Sequence, residues 1–124
     1  MVDDSKLMRA YARINLVGAG FSVAEIDPTS VIDVLEAIHQ LQPRLVLMDY
    51  EMPACNGESL LRIIREDTGM KDTPVMVMSA HGETNLVRRL ERWGLAGYLL
   101  KPVRPEELIA RGQAFFEAHR QKAL

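Results

Sequence analysis

Two stretches of the chain are unbroken apolar runs. They are Leu45 to Met48 (LVLM) and Val75 to Met78 (VMVM). Continuous runs of this length read as strands covered on both faces, the habit of a parallel sheet. Between and around them the apolar positions recur at helical spacing. Lys6 to about Val17 predicts a helix, with Leu7, Tyr11 and Ile14 on one face and Met8, Ala12 and Leu16 beside it. Val31 to about Leu41 predicts a second, with Ile32, Leu35 and Ile38 inward. Glu58 to about Glu66 predicts a third, burying Leu60, Leu61, Ile63 and Ile64. Glu83 to Trp93 and Pro105 to about Arg120 complete the set.

Punctuation agrees with this division. Gly18 and Gly20 stop the first helix, and Pro43 follows the second. Pro105 suits the first position of the last helix, with Glu106 and Glu107 at its positive end. Phe21 to Ile26 and Tyr98 to Leu100 predict two further strands, and Met1-Val2 ahead of Asp3 a very short one. Strand and helix therefore alternate five times. The expected fold is an α/β three-layer sandwich around a parallel sheet with right-handed crossovers. In such a sheet, ligands bind at the carboxyl ends of the strands.

Composition narrows the class. The 124 residues fit one domain spanning 1–124, with 48% hydrophobic and 26% charged residues. A net charge of −2 argues against direct nucleic-acid binding. No apolar run approaches membrane length. The single cysteine, Cys55, permits no disulfide within the chain and reads as a small packed hydrophobe. These features suit a cytoplasmic protein.

The strand ends carry the chemistry. The first ends in Asp3-Asp4, the third in Asp49, the fourth in Ser79 and the fifth in Lys101-Pro102. All share one rim. Three crowded carboxylates repel each other, and a hard divalent cation such as Mg2+ relieves that repulsion. A hydroxyl and an ammonium beside a carboxylate nucleophile form a phosphoryl-transfer site. Taken singly, Asp3-Asp4 reads as a helix cap, Ser79 as a loop serine, Lys101 as a solvated strand end and Tyr98 as a half-buried aromatic. Ser5 is itself a competent cap, which leaves Asp4 free. His39, His81 and His119 read as solvent-facing. Trp93 reads as helix core with Leu86 and Leu90, or as part of a docking face.

In order and spacing, the segments VDDS, LVLMDYEMP, the NG of PACNG, VMVMSAHG and GYLLKPV resemble the receiver domain of two-component response regulators. The resemblance covers essentially the whole chain. It implies a flavodoxin-like (βα)5 fold with sheet order 2-1-3-4-5. It implies that Asp49 is the phosphoaccepting aspartate, with Ser79 and Lys101 as its hydroxyl and lysine partners. Mg2+ would be held by Asp3, Asp4, Asp49 and the backbone carbonyl of Glu51, with Asp4 ahead of Asp3 as direct ligand. Ser79 and Tyr98 would form the switch, and Glu51 and His81 would tune phosphoryl lifetime. Its implied partners are a sensor histidine kinase or histidine phosphotransfer protein and an output partner or domain. It also allows a phosphorylation-dependent homodimer. By analogy, the Lys101-Pro102 bond is expected to be cis.

Two departures and two rivals stand beside that resemblance. Met1-Val2 is short for a central strand, so the first strand reads as truncated at the amino terminus. Arg104 stands where a capping side chain would suit the last helix. Haloacid-dehalogenase-like phosphatases also use an aspartate nucleophile, Mg2+, Ser/Thr and Lys, but their acidic metal pair comes late in the chain rather than first. A docking module that needs no phosphorylation is the other rival. The chain reads as a phosphoacceptor rather than an enzyme, either stand-alone or excised from a longer regulator.

Overall fold

A computed structural model describes residues 1–53 and 56–119. Cys55, Arg120 and the expectations placed on them lie outside those residues. Among the described residues, five helices surround a parallel sheet: α1 (Lys6–Gly18), α2 (Val31–Leu41), α3 (Gly57–Glu66), α4 (Thr84–Glu91) and α5 (Pro105–His119). The regular strands are β1 (Val46–Asp49), β2 (Val75–Ser79) and β3 (Gly97–Leu100), in the order β1-β2-β3. Beyond β1 the sheet continues as single parallel bridges, Met48 to Val2 and Val2 to Ile26. The order across the sheet is therefore Ile26, Val2, β1, β2, β3, which is the expected 2-1-3-4-5.

The predicted first and second strands are thus reduced to one paired residue each. From Phe21 to Glu25 the chain forms no strand. Its edge beside Leu45 opens instead into a groove of about 1350 Å3, lined by Met1, Phe21, Leu45, Leu47, Met76 and Phe116 among others. This groove lies at the amino ends of the strands, away from the acidic rim.

β1 and β2 are buried at every position, as their unbroken apolar runs require. One face packs Val46, Met48, Val75 and Val77 with Leu60, Leu61 and Ile64 of α3. The other packs Leu47, Met76, Met78 and Leu99 with Leu108 and Phe115 of α5. Each fully buried aliphatic side chain contributes roughly 1.5–3 kcal/mol of transfer free energy.

Several expected faces differ. α1 turns Ala12 and Arg9 inward, while Leu7 and Ile14 are 78% and 64% exposed. Arg9 competes for the inward position because its guanidinium donates to the Asp3 carbonyl at 2.7 Å and lies 3.5 Å from Glu25. α2 buries Val34 and Ile38 and leaves Ile32 exposed. α4 ends at Glu91, so Trp93 sits in the following turn, half-buried against the core. His119 does not simply face solvent: it stacks on Phe115 with ring centroids 4.0 Å apart.

Local signals account for the helix starts. Ser5 caps α1 by accepting from the Met8 amide, and Ser30 caps α2 through the Asp33 amide. Asn56 accepts from both Glu58 and Ser59 at the start of α3. Gly57 is needed just after it, because a Cβ there would lie 2.9 Å from the Tyr50 Cα. That close approach clamps the loop that follows Asp49. On its own side of the sheet, Arg65 of α3 ties loops together by donating to the carbonyls of Trp93, Gly94, Lys71 and Thr73.

Candidate phosphoryl-transfer site

The rim assembles as the strand ends foretell. Asp49 closes β1, with only 3% of its surface exposed. Register pairs it with Met78, so the adjacent strand ends one residue later on Ser79. Ser79 in turn pairs with Leu100, which brings Lys101 alongside. The Lys101-Pro102 bond is cis, as expected. The Lys101 ammonium reaches Asp49 Oδ1 at 2.6 Å.

Asp3, Asp4 and Asp49 converge, with one carboxylate oxygen from each within 4.8 Å of the others. Asp3 Oδ1 accepts the Ser5 amide at 2.8 Å. Its other oxygen, Oδ2, is the buried side-chain atom without a hydrogen-bond partner among the described residues. A buried orphan acceptor costs free energy and fits a cation ligand. Asp4 is exposed and open to the same space. The all-oxygen donor set suits Mg2+.

Electrostatics follow from this crowding. Burial pushes the Asp49 carboxyl up to about 6; the nearby Asp3 charge adds to the rise, and Lys101 opposes it. Asp3 is raised as well, chiefly by burial. Burial works against the charged form of Lys101, yet its contacts with Asp49 and Glu51 raise its pKa.

Glu51 occupies a place that sequence reasoning did not anticipate. Its side chain folds back into the rim rather than into solvent. Oε1 accepts the Ser79 hydroxyl at 2.7 Å and the Ala80 amide at 2.9 Å. Oε2 lies 3.3 Å from Lys101 Nζ. Partial burial favours the neutral acid, but the hydrogen bonds from Ser79 and Ala80, with Asp49 and Lys101 adding to them, hold its carboxyl at about 2. Its position two residues after Asp49 is the signal that singled it out in the sequence. The partners of its carboxylate could not be read there, because Ser79 lies 28 residues away.

His81 is exposed, 3.8 Å from Glu51 and 3.5 Å from Glu83. The Tyr98 hydroxyl donates to the His81 carbonyl, so the half-buried ring is tied to the loop that follows Ser79.

A family model described as the response regulator receiver domain matches residues 1–113. The chain belongs to the response regulator receiver domains. It is 36% identical over 115 residues to the DNA-binding response regulator MtrA of Mycolicibacterium smegmatis, covering 92% of this chain and 48% of that protein. It is 32% identical to the phosphate regulon transcriptional regulatory protein PhoB of Pseudomonas aeruginosa, covering 92% of this chain and 49% of that protein. The chain thus spans about half the length of these relatives. Among solved structures, the signal receiver domain of NarL from Mycobacterium tuberculosis superposes with a TM-score of 0.78 at 29% identity, covering 96% and 92% of the two chains. The chemotaxis protein CheY4 of Vibrio cholerae has the same fold, with a TM-score of 0.82 at 24% identity and coverage of 92% and 93%. No helix among the described residues is long and apolar enough to cross a membrane.

Proposed function

We propose that Asp49 accepts a phosphoryl group from a phosphohistidine of a sensor kinase or phosphotransfer protein. A carboxylate oxygen of Asp49 attacks phosphorus, the new O–P bond forms and the N–P bond of the donor breaks. The imidazole leaves with the electron pair and takes a proton. The observation that carries this reading is the Asp49–Lys101 contact of 2.6 Å on a buried carboxylate beside two further acids.

Asp3, Asp4, Asp49 and the Glu51 carbonyl would hold Mg2+, which when bound neutralises the carboxylates and the incoming phosphoryl oxygens. Lys101 places a positive charge where negative charge gathers. The Ser79 hydroxyl and the Ala80 amide supply further donors. Tyr98, hydrogen-bonded to the loop after Ser79, couples the site to the surface formed by α4, β3 and α5. The chain turns over no separate substrate in this reading. It acts inside the cell as one domain whose partners are the kinase and an output partner or domain. The DNA-binding relatives make an attached DNA-binding output one such case.

Incubation with acetyl phosphate and Mg2+ tests the reading. Wild type is expected to take up about one phosphoryl group per chain, and Asp49→Asn none. Sustained hydrolysis of p-nitrophenyl phosphate by Ser79, Lys101 and Asp49 together would instead favour a phosphatase. Absence of any label would favour a docking module.

A further inference from the structure

The donors suited to stabilise a phosphoryl group on Asp49 are already engaged. The Ser79 hydroxyl and the Ala80 amide both point at Glu51 Oε1, and Lys101 Nζ reaches Glu51 Oε2. Glu51 is tethered beside Asp49, its own amide donating to Asp49 Oδ1 at 3.2 Å. A carboxylate is a smaller oxyanion than a phosphoryl group, but it satisfies the same hydroxyl, amide and ammonium donors. We propose that the Glu51 carboxylate is a built-in stand-in for the phosphoryl group, filling the donor cradle until a phosphoryl group displaces it.

This inference rests on Asp49 as the acceptor and adds a regulation of that site. Two consequences follow from the contacts. Phosphorylation must first break the Glu51 hydrogen bonds, so Glu51 lowers the affinity of the cradle for a phosphoryl-like anion. Ser79 is also held over the site before any phosphoryl group arrives, and the Tyr98 hydroxyl already bonds to the His81 carbonyl. His81 donates its amide to Ser79 Oγ at 3.0 Å, so Glu51, Ser79, His81 and Tyr98 form one connected chain of hydrogen bonds.

Occupancy and mere negative charge are separable by length. Glu51→Asp keeps the charge but loses the methylene needed to reach Ser79 and Ala80. Glu51→Ala loses both. Glu51 is one-third exposed, so neither change opens a buried cavity.

The probe is beryllofluoride with Mg2+, titrated by NMR against wild type, Glu51→Asp, Glu51→Ala and Asp49→Asn. Both Glu51 variants are expected to bind roughly tenfold tighter than wild type, the factor that corresponds to one lost competing charge-assisted hydrogen bond. The Ala80 amide signal should shift upfield in both free variants and return downfield with beryllofluoride. A Glu51→Asp variant that binds as wild type does would overturn the stand-in and leave only charge repulsion. Wild-type affinity in Glu51→Ala would also overturn it. In both cases Asp49→Asn would still fail to bind, and Asp49 would stand as acceptor. Binding that survives in Asp49→Asn would overturn the acceptor assignment itself, and the stand-in with it.

Discussion

The Glu51 carboxylate, in the loop after β1, and the Ser79 hydroxyl, at the end of the adjacent strand β2, are joined by a hydrogen bond of 2.7 Å. Together with the Ala80 amide, which also donates to Glu51, it links the loop after β1 to the loop entering α4. From Ser79 the hydrogen bonds run on through His81, whose amide donates to Ser79 Oγ and whose carbonyl accepts from the Tyr98 hydroxyl.

Removing the hydroxyl therefore has a directed consequence. In Ser79→Ala the NMR shifts that beryllofluoride induces near Tyr98 and Trp93 should shrink, while Mg2+ binding measured by calorimetry survives. A ligand shifts a two-state surface only as far as its contacts differ between the states. Full-size shifts in the alanine variant would mean that the signal travels by another route.

Asp49 imposes a pH dependence on stability. Its folded pKa is raised from 3.8 to about 6, so the folded state holds a proton that the unfolded chain has lost. That contribution is present below about pH 4 and is lost as pH rises through about 6. At pH 7 without metal, the ionised Asp49 destabilises the fold. Asp49→Asn is expected to exceed wild type by about 1–3 kcal/mol there, and by much less at pH 4. Urea midpoints at the two pH values check this. Equal gaps would show that Asp49 is not the titrating group. Glu51 is held low mainly by Ser79 and Ala80, which both chains retain, and in smaller part by Asp49 itself.

Arg65 is expected to matter more for stability than its surface position suggests. Its guanidinium donates to four backbone carbonyls from two loops. Arg65→Ala should cost about 1–3 kcal/mol by urea denaturation. Arg65→Lys should recover little, because a single ammonium cannot reproduce the planar fork. Full rescue by lysine would show that charge, not geometry, matters.

The groove beside Leu45 has room for backbone and apolar side chains. The Met1 ammonium is tied to the Ala24 carbonyl at 3.0 Å, and burial lowers its pKa to about 6. Adding a few apolar residues ahead of Met1 should raise the denaturant midpoint, by extending the pairing of Val2 into the groove. Unchanged midpoints would show that the slot does not accept a strand.

The chain announced its sheet and its rim more clearly than its helix faces. LVLM and VMVM have no polar position, so only a doubly covered strand suits them, and they became β1 and β2. Asp49, Ser79 and Lys101 were legible as a group because parallel strands bring their carboxyl ends to one edge. Helical spacing shows which residues share a face but not which face turns inward. Leu7, Ile14 and Ile32 lost that contest to Arg9, Ala12 and Val34. Phe21 to Glu25 read as strand by composition, but pairing needs a neighbour, and only Ile26 found one in Val2. The resemblance marked Glu51 as a lifetime-tuning position but gave no sign of its side-chain partners Ser79, Ala80 and Lys101, which are distant in sequence.

The phosphoryl group is expected to reside on Asp49. Reduction of the phosphorylated chain with borohydride converts an acyl phosphate on aspartate to homoserine, and peptide mass spectrometry then locates it. Homoserine at position 49 alone is the expected result. Homoserine at position 3 or 4, or reduction at Glu51 with Asp49 intact, would contradict the account.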